Sequence, residues 1–387
     1  MARIYLDHAA TTPMVPAAVA ALTAELTRVG NASAAHGSGR AARRVVEDAR
    51  ELVAARVGAD PAELIFTSGG TESDNLGVKG AWFARRDRRR DRVVTSAVEH
   101  HAVLDSVAWL AAAQGAQMVL LPVDGTGRVV EAAVAATLDE RTAVVSVMAA
   151  NNEVGTRQPL AEVARRAAEV GAVSHSDAVQ AVGHVAVDFA ASGLDLMTFT
   201  AHKLGGPVGV GALLARRETA LAAVQHGGGQ ERDVRSGTFD VAAVAAFAAA
   251  VEVAVADLEA EETRLRALRA ELVAGVLATV PGAVLRGTLD PDRSLPGVTN
   301  LGFPGCAADA VLMVLDAAGF DCSAGSACSA GVTRPSHVLT AMGLDDADAR
   351  SSVRFSLGRD SSRADVAALL AALPDAVERA RAAAAFA

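Results

Sequence analysis

Lys203 ends a stretch that reads Asp195-Leu-Met-Thr-Phe-Thr-Ala-His-Lys-Leu-Gly-Gly-Pro207. The apolar run from Leu194 to Phe199 has the character of a buried strand, and Gly205-Gly206-Pro207 breaks the chain directly after it. The lysine therefore sits at a strand's exit, which is where open α/β sheets bind ligands. In such a cleft an amine loses hydration, its pKa falls, and the neutral form becomes available to make a Schiff base with a carbonyl compound. On its own Lys203 has a commoner use, as a surface lysine snorkelling from a loop.

The other strand exits decide between these uses. They carry Gly70-Thr71, Glu99-His100, Asn151-Asn152-Glu153, Asp177 with Gln180, and Thr200-Ala-His202-Lys203, a polar set on an apolar sheet. A buried carboxylate such as Asp177 needs a positive partner, and the chain delivers a lysine 26 residues later (203 − 177). Ser68-Gly69-Gly70 leads from the strand Leu64–Thr67 into a helix that Thr71 and Asp74 start in the manner of a capping box. Backbone N–H groups bared by glycine at such a start suit a phosphate. Pyridoxal phosphate asks for these three features together: a Schiff-base lysine, an acid for its ring nitrogen and a phosphate cradle. Taken singly, Asp177 could cap a helix, His100 could be a surface histidine and Asn152 a turn residue. Their coincidence at strand exits favours the cofactor.

The elements that must position this set alternate along the chain. Strands at 64–67, 92–95, 117–121, 142–148, 172–175, 194–199 and 208–214 are separated by helical segments, so an α/β fold with a mostly parallel sheet covered on both faces is expected. From Val241 to about Val280 the pattern reads as one long helix bridging two domains, and a smaller α+β domain follows. The expected division is 14–258 for the large domain and 1–13 with 259–387 for the small one. Hydrophobic residues make up 51%, enough for a large core. The formal charge of -9 argues against nucleic acid held through its phosphates. The basic run from Arg85 to Arg92 is interrupted by Asp87 and Asp91 and reads as a solvated helix end. The start of the chain has no apolar leader and no stretch suits a bilayer, so a cytoplasmic protein without membrane contact is expected, with no metal site. Cys306, Cys322 and Cys328 are too few for a disulfide framework and are expected as free thiols.

The chain resembles the cysteine desulfurases of the class-V aminotransferase family, fold-type I pyridoxal-phosphate enzymes, along nearly its whole length. Tyr5-Leu-Asp-His-Ala-Ala-Thr-Thr-Pro13, Phe66-Thr-Ser-Gly-Gly-Thr-Glu-Ser-Asp-Asn75, Asn151-Asn-Glu-Val-Gly155 and Ser176-Asp-Ala-Val-Gln180 carry the likeness. So do Glu99-His100, His202-Lys203, His226-Gly-Gly-Gly-Gln-Glu-Arg232, Arg235-Ser-Gly-Thr238, Gly325-Ser-Ala-Cys328 and Val353-Arg-Phe-Ser-Leu-Gly358. The resemblance implies that Lys203 holds the cofactor, Asp177 pairs its ring nitrogen, Gln180 its ring oxygen, and His100 stacks on the ring and takes part in catalysis, with Asn152 beside cofactor and substrate. Gly70, Thr71, Thr200 and His202 would hold the phosphate, and Thr238 would reach the phosphate of a neighbouring subunit, which implies a homodimer with composite sites. Arg354 with Asn31 would hold the carboxylate of L-cysteine.

Cys328 stands in Ser323-Ala-Gly-Ser-Ala-Cys-Ser-Ala-Gly331, small residues without periodicity, and so is expected on a loop as the nucleophile that takes the sulfur as a persulfide. The likeness is to the longer-loop branch, whose cysteine hands sulfur to an acceptor protein for iron–sulfur clusters or thiolation of nucleic acid. Ala201 and Ser329 depart from the glycine and threonine of many relatives, and neither removes a functional group. The alternatives are a selenocysteine lyase or other β-eliminating lyase and, from a different class, a non-catalytic sulfur-relay scaffold.

Overall fold

The computed structural model describes residues 3–86, 89–324 and 335–384. Its strands are β1 (Ile4–Tyr5), β2 (Leu64–Thr67), β3 (Arg92–Ser96), β4 (Gln117–Leu121), β5 (Thr142–Ser146) and β6 (Val173–Asp177). There follow β7 (Leu196–Thr200), β8 (Gly211–Ala215), β9 (Val284–Arg286), β10 (Val298–Gly302), β11 (Phe320–Asp321) and β12 (Ser352–Ser356). The helices begin with α1 (Pro16–Leu26), α2 (Gly37–Arg56), α3 (Gly70–Asn75), α4 (Ala81–Arg85), α5 (His101–Gln114), α6 (Glu131–Thr137) and α7 (Leu160–Val170). They continue with α8 (Phe189–Ser192), α9 (Val241–Ala256), α10 (Leu258–Thr279), α11 (Ala308–Ala317), α12 (His337–Ala341), α13 (Asp346–Arg350) and α14 (Arg363–Ala384).

Seven strands form the main sheet in the order β2-β8-β7-β6-β5-β3-β4. The pairs from β7 to β4 are all parallel, and β8 runs antiparallel to both β2 and β7. Every residue of β5, β6, β7 and β8 is buried, as strands covered on both faces must be. One layer of the core sets α1, α2 and α9 against the sheet through Val46, Val53, Phe199 and Phe247. On the other side Trp82, Val103, Val107 and Leu110 pack on Val93, Val144 and Leu196. Because β3, β6 and β7 are parallel, their carboxyl ends emerge along one edge, and that edge carries the chemistry.

A second core gathers Leu265, Leu272 and Val276 of α10, Val311 and Leu315 of α11 and Leu369 and Leu373 of α14 over the antiparallel sheet β12-β10-β9. Leu6 is buried in it, since β1 pairs with β11. Two expectations are corrected here. The stretch 241–280 is two helices bent by 70°, not one. The bend falls where α9, apolar on all sides and packed in the first core, gives way to α10, which buries one stripe against the second. The start of α3 is the other. Its N-cap is Gly69, with no side-chain cap, and Thr71 with Asp74 does not form a capping box. The Glu72 carboxylate instead accepts from the Ser68 N–H at 2.7 Å.

Candidate active site

A cavity of about 410 Å³ opens at the carboxyl ends of the parallel strands. From the first half of the chain it takes Gly70 and Thr71 at the start of α3, His100 at the start of α5, and Asn152 beyond β5. From the second half it takes Asp177 and Gln180 at the end of β6, Thr200, His202 and Lys203 at the end of β7, and Arg354 on β12. Ten residues expected at a site thus line one cavity. A smaller cavity of about 100 Å³ also touches Lys203 and is lined by His8, His184 and Glu261.

Lys203 closes a 3-10 turn directly after β7, and its Nζ donates to the carbonyls of Ala9 and Ala10 at 2.6 and 2.5 Å. Burial lowers its pKa from an ordinary lysine's 10.5 to about 8; the positive charge of Arg354 adds to this, and Asp177 and Asp7 oppose it. The amine therefore has a far larger neutral fraction near physiological pH than an ordinary lysine. Asp177 is buried and accepts from the Val179 N–H at 2.9 Å. Burial raises its pKa, and His100 and Lys203 pull it back.

His100 caps α5 by accepting from the Ala102 N–H at 3.1 Å, and this bond fixes the ring over the cavity. The ring is open to the cavity, yet the protein around it lowers its pKa by desolvation, so it stays neutral. The anion end is built by Gly69, whose φ of 149° only glycine adopts easily and which turns the first N–H groups of α3 outward. A Cβ on Gly70 would stand 3.0 Å from Val179 Cγ2, so glycine keeps that wall back. Thr200 Oγ1 lies 3.9 Å from where a Cβ on Gly69 would stand, and His202 lines the same cavity. The His202 pKa is lowered to about 4 by burial and then by Lys203, which keeps it a neutral partner. Gln180 donates from Nε2 to the Ala9 carbonyl at 2.9 Å.

Arg354 is 5% exposed. Its Nη2 donates to Asp7 Oδ1 at 2.7 Å and Nη1 to the Asn152 carbonyl at 2.9 Å, while Nε is buried without a partner among the described residues. The backbone of Arg354 exchanges hydrogen bonds with Ser323 at 2.6 and 3.2 Å, and Ser323 lines the cavity. Cys328 lies outside the described residues, but one flank of its segment lines the cavity and the other is tied to Glu153, next to the cavity residue Asn152. Ser323 is tied to Arg354, and Ser336 donates to the buried Glu153 at 2.5 Å. From Ser323 to Cys328 is five residues (328 − 323), a span of at most about 17 Å.

Asn31 and Thr238 do not join the others. Asn31 is exposed and accepts from the Ser33 N–H at 2.9 Å, and Thr238 is exposed at the end of the loop 226–238. That loop holds three successive non-glycine residues with positive φ, Glu231 at 46°, Arg232 at 57° and Asp233 at 63°. A buried pair fixes it, Arg50 donating to both oxygens of Glu231 at 2.7 and 3.0 Å. Sequence reasoning missed Asp7, Asp74 and the carbonyls of Ala9 and Ala10. Asp7, Ala9 and Ala10 lie inside the Tyr5–Pro13 motif, whose lack of periodicity in an otherwise periodic chain was the available signal.

The model for the aminotransferase class-V family matches residues 4–369. The chain belongs to the class-V aminotransferase family. Among members of this family, it is 56% identical over 384 residues to an IscS-like cysteine desulfurase of Mycobacterium tuberculosis, covering 98% of each. It is 38% identical to the cysteine desulfurase IscS of Methanosarcina thermophila over 98% of this chain and 93% of the relative. A solved NifS-like protein superposes on all of both chains with a TM-score of 0.88 at 33% identity. The structure of SspA in complex with cysteine matches with a TM-score of 0.80 at 30% identity, over 92% of this chain and 98% of that one.

Proposed function

We propose that this class-V aminotransferase is a pyridoxal-phosphate cysteine desulfurase that turns L-cysteine into L-alanine and leaves a persulfide on Cys328. One observation carries the reading: a single cavity joins a lysine of depressed pKa, a buried acid, an anion cradle and a buried arginine whose Nε has no partner among the described residues, and Ser323, five positions before Cys328, lines it. The similarity to named cysteine desulfurases supports the same choice.

The donor set fits the cofactor. Lys203 would hold the aldehyde carbon, Asp177 the ring nitrogen, Gln180 the ring oxygen and the His100 ring one face. Gly70, Thr71, Thr200 and His202 would take the phosphate, with Thr238 of a second copy completing that end in a homodimer. Bound pyridoxal phosphate supplies an electron sink that acidifies the substrate's Cα and weakens its C–S bond. Lys203, once released, takes the Cα proton. Arg354 grips the substrate carboxylate, with Asn31 of a second copy and Asn152 beside it. The Cys328 thiolate then takes the substrate's sulfur: an S–S bond forms, the C–S bond breaks, and its electron pair stays on the three-carbon fragment that leaves as alanine. In this reading 14–258 is the domain that holds the cofactor, and 1–13 with 259–387 brings Arg354 and Cys328 to it. The sulfur would pass from Cys328 to an acceptor protein.

Alanine release and mass spectrometry test the proposal. Cys328→Ala is expected to bind cofactor and L-cysteine, form no persulfide and release almost no alanine, while Cys306→Ala and Cys322→Ala turn over. Burial pushes the Cys322 thiol up to about 12, so it is a poor nucleophile. Near-normal alanine release by Cys328→Ala would overturn the assignment and favour a lyase.

A further inference from the structure

Below the acid Asp177 lies a buried polar column that the chemistry above leaves unused. Asp74 on α3 is 1% exposed, and its Oδ1 has no hydrogen-bond partner among the described residues. The same oxygen stands 3.7 Å from His175 Nε2. Of its neighbours Thr198 is the one that favours the charged form of the Asp74 carboxyl. His175 in turn is fully buried, with Nδ1 2.8 Å from Ser146 Oγ and Nε2 3.1 Å from Thr198 Oγ1. Room for its ring exists because residue 77, in the π-helical turn Leu76–Gly80 that continues α3, is glycine. A Cβ there would stand 2.9 Å from His175 Cδ2.

One carboxylate oxygen of Asp74, one of Asp177 and a ring nitrogen of His100 all lie within 4.8 Å of one another. Two carboxylates this close in a dry site do not both ionise. The groups that face Asp74 decide which one keeps the proton. They are Asp177 and His175 from β6, Glu99 and His100 from the turn after β3, and Thr198 from β7. None offers Asp74 a cation, because burial holds His175 neutral, with a pKa near 3, and lowers the pKa of His100 as well. The charge that distinguishes the two carboxyls is Lys203, which favours the ionised form of Asp177.

We propose that Asp74 is a positioning residue that acts as a neutral carboxylic acid, keeping the proton at the base of the cavity so that the negative charge facing the cofactor ring stands on Asp177. The inference rests on the pyridoxal-phosphate reading for its purpose, though not for the protonation itself. Desolvation pushes Asp74 well above the ordinary carboxyl range and Glu99 up to about 8, in the same direction.

The experiment compares full-length wild type, Asp74→Asn and Asp177→Asn by infrared spectroscopy at neutral pH and by pH titration of the bound cofactor's visible absorption. A protonated-carboxyl C=O band in the wild type is expected to disappear in Asp74→Asn, with Glu99→Gln separating the band of Glu99. Asparagine is neutral like the protonated acid, so Asp74→Asn is expected to leave the proton affinity of the cofactor chromophore unchanged to within about twofold, whereas Asp177→Asn shifts it about tenfold or more. A band whose intensity is unchanged in Asp74→Asn, or a shift of about tenfold in that variant, overturns the proposal. The infrared measurement needs no cofactor, and a wild type without any protonated-carboxyl band overturns the proposal even if the variant does not fold. A wild type without visible absorption would instead count against the cofactor reading alone.

Discussion

Cofactor capture by the cofactor-free protein is expected to follow the titration of Lys203, with a plateau where an ordinary lysine would still be rising. With a pKa of about 8 the amine is half neutral at that pH. From pH 6 to 8 the neutral fraction then grows about 50-fold, and from pH 8 to 10 only about twofold. An unperturbed lysine would gain about 75-fold over the second interval. At pH 7 the depressed pKa gives on the order of 300 times more neutral amine, equivalent to on the order of 3 kcal/mol. The assay is stopped-flow growth of the visible band after adding pyridoxal phosphate, divided at each pH by the rate for a free alkylamine, which removes the cofactor's own titration. The cause can be tested as well, because Arg354 is the second contributor to the shift after burial. Arg354→Gln is expected to move the plateau to higher pH. The same shift has a sign for stability. Lys203 is neutral in the fold and charged in the unfolded chain between about 8 and 10.5, so its contribution makes the cofactor-free protein more stable as pH rises through that window. A capture rate that climbs tens of fold between pH 8 and 10 would refute the depressed pKa.

Arg354→Ala removes a buried guanidinium and is expected to lower kcat/KM for L-cysteine by about 30-fold or more, with Arg354→Lys recovering only part because it lacks the planar fork. Initial rates over a range of cysteine concentrations check this. Arg50→Ala leaves Glu231 buried without its partner and is expected to cost about 3–5 kcal/mol, read from denaturant midpoints, with Arg50→Ala/Glu231→Gln recovering part of the loss. For the dimer, a Lys203→Ala chain paired with a Thr238→Ala chain is expected to regain one intact site and about half the wild-type activity, since Thr238 of the first completes the site of the second. Heterodimers no more active than the Thr238→Ala protein would show that Thr238 serves its own chain.

Much of the cavity could be read in the sequence because its residues sit at strand ends, and strand ends are local signals. Lys203, Asp177, Thr200 and Gly70 each follow an apolar run within a few positions. What the sequence hid is contact across distance. Asp7 and Arg354 pair across 347 positions, and the carbonyls that hold the Lys203 amine are 194 and 193 positions away. A backbone carbonyl has no letter in the sequence. The break after α9 was hidden for another reason: Ala256-Asp257-Leu258 contains neither glycine nor proline, and only the change of packing partner ends the first helix. At α3, threonine at a helix start suggested a cap, but Glu72 reaches back to the Ser68 N–H and leaves the cap position to a glycine. Thr238 and Asn31 lie outside the cavity of one chain, which their motifs alone did not reveal.

The pairing of β1 with β11 sets a timetable for the protein's birth. Ile4 leaves the ribosome first among its partners and must wait for Phe320, 316 residues later (320 − 4). At about 5–20 residues per second that is roughly 15–60 s. During this interval the main sheet, complete by Ala215, can form, but the segment that presents Ala9 and Ala10 to the amine of Lys203 has no strand to lie on. The N-terminal strand is therefore among the last pieces to be seated, and a folding chain would not hold its lysine in the finished setting until the C-terminal third has emerged.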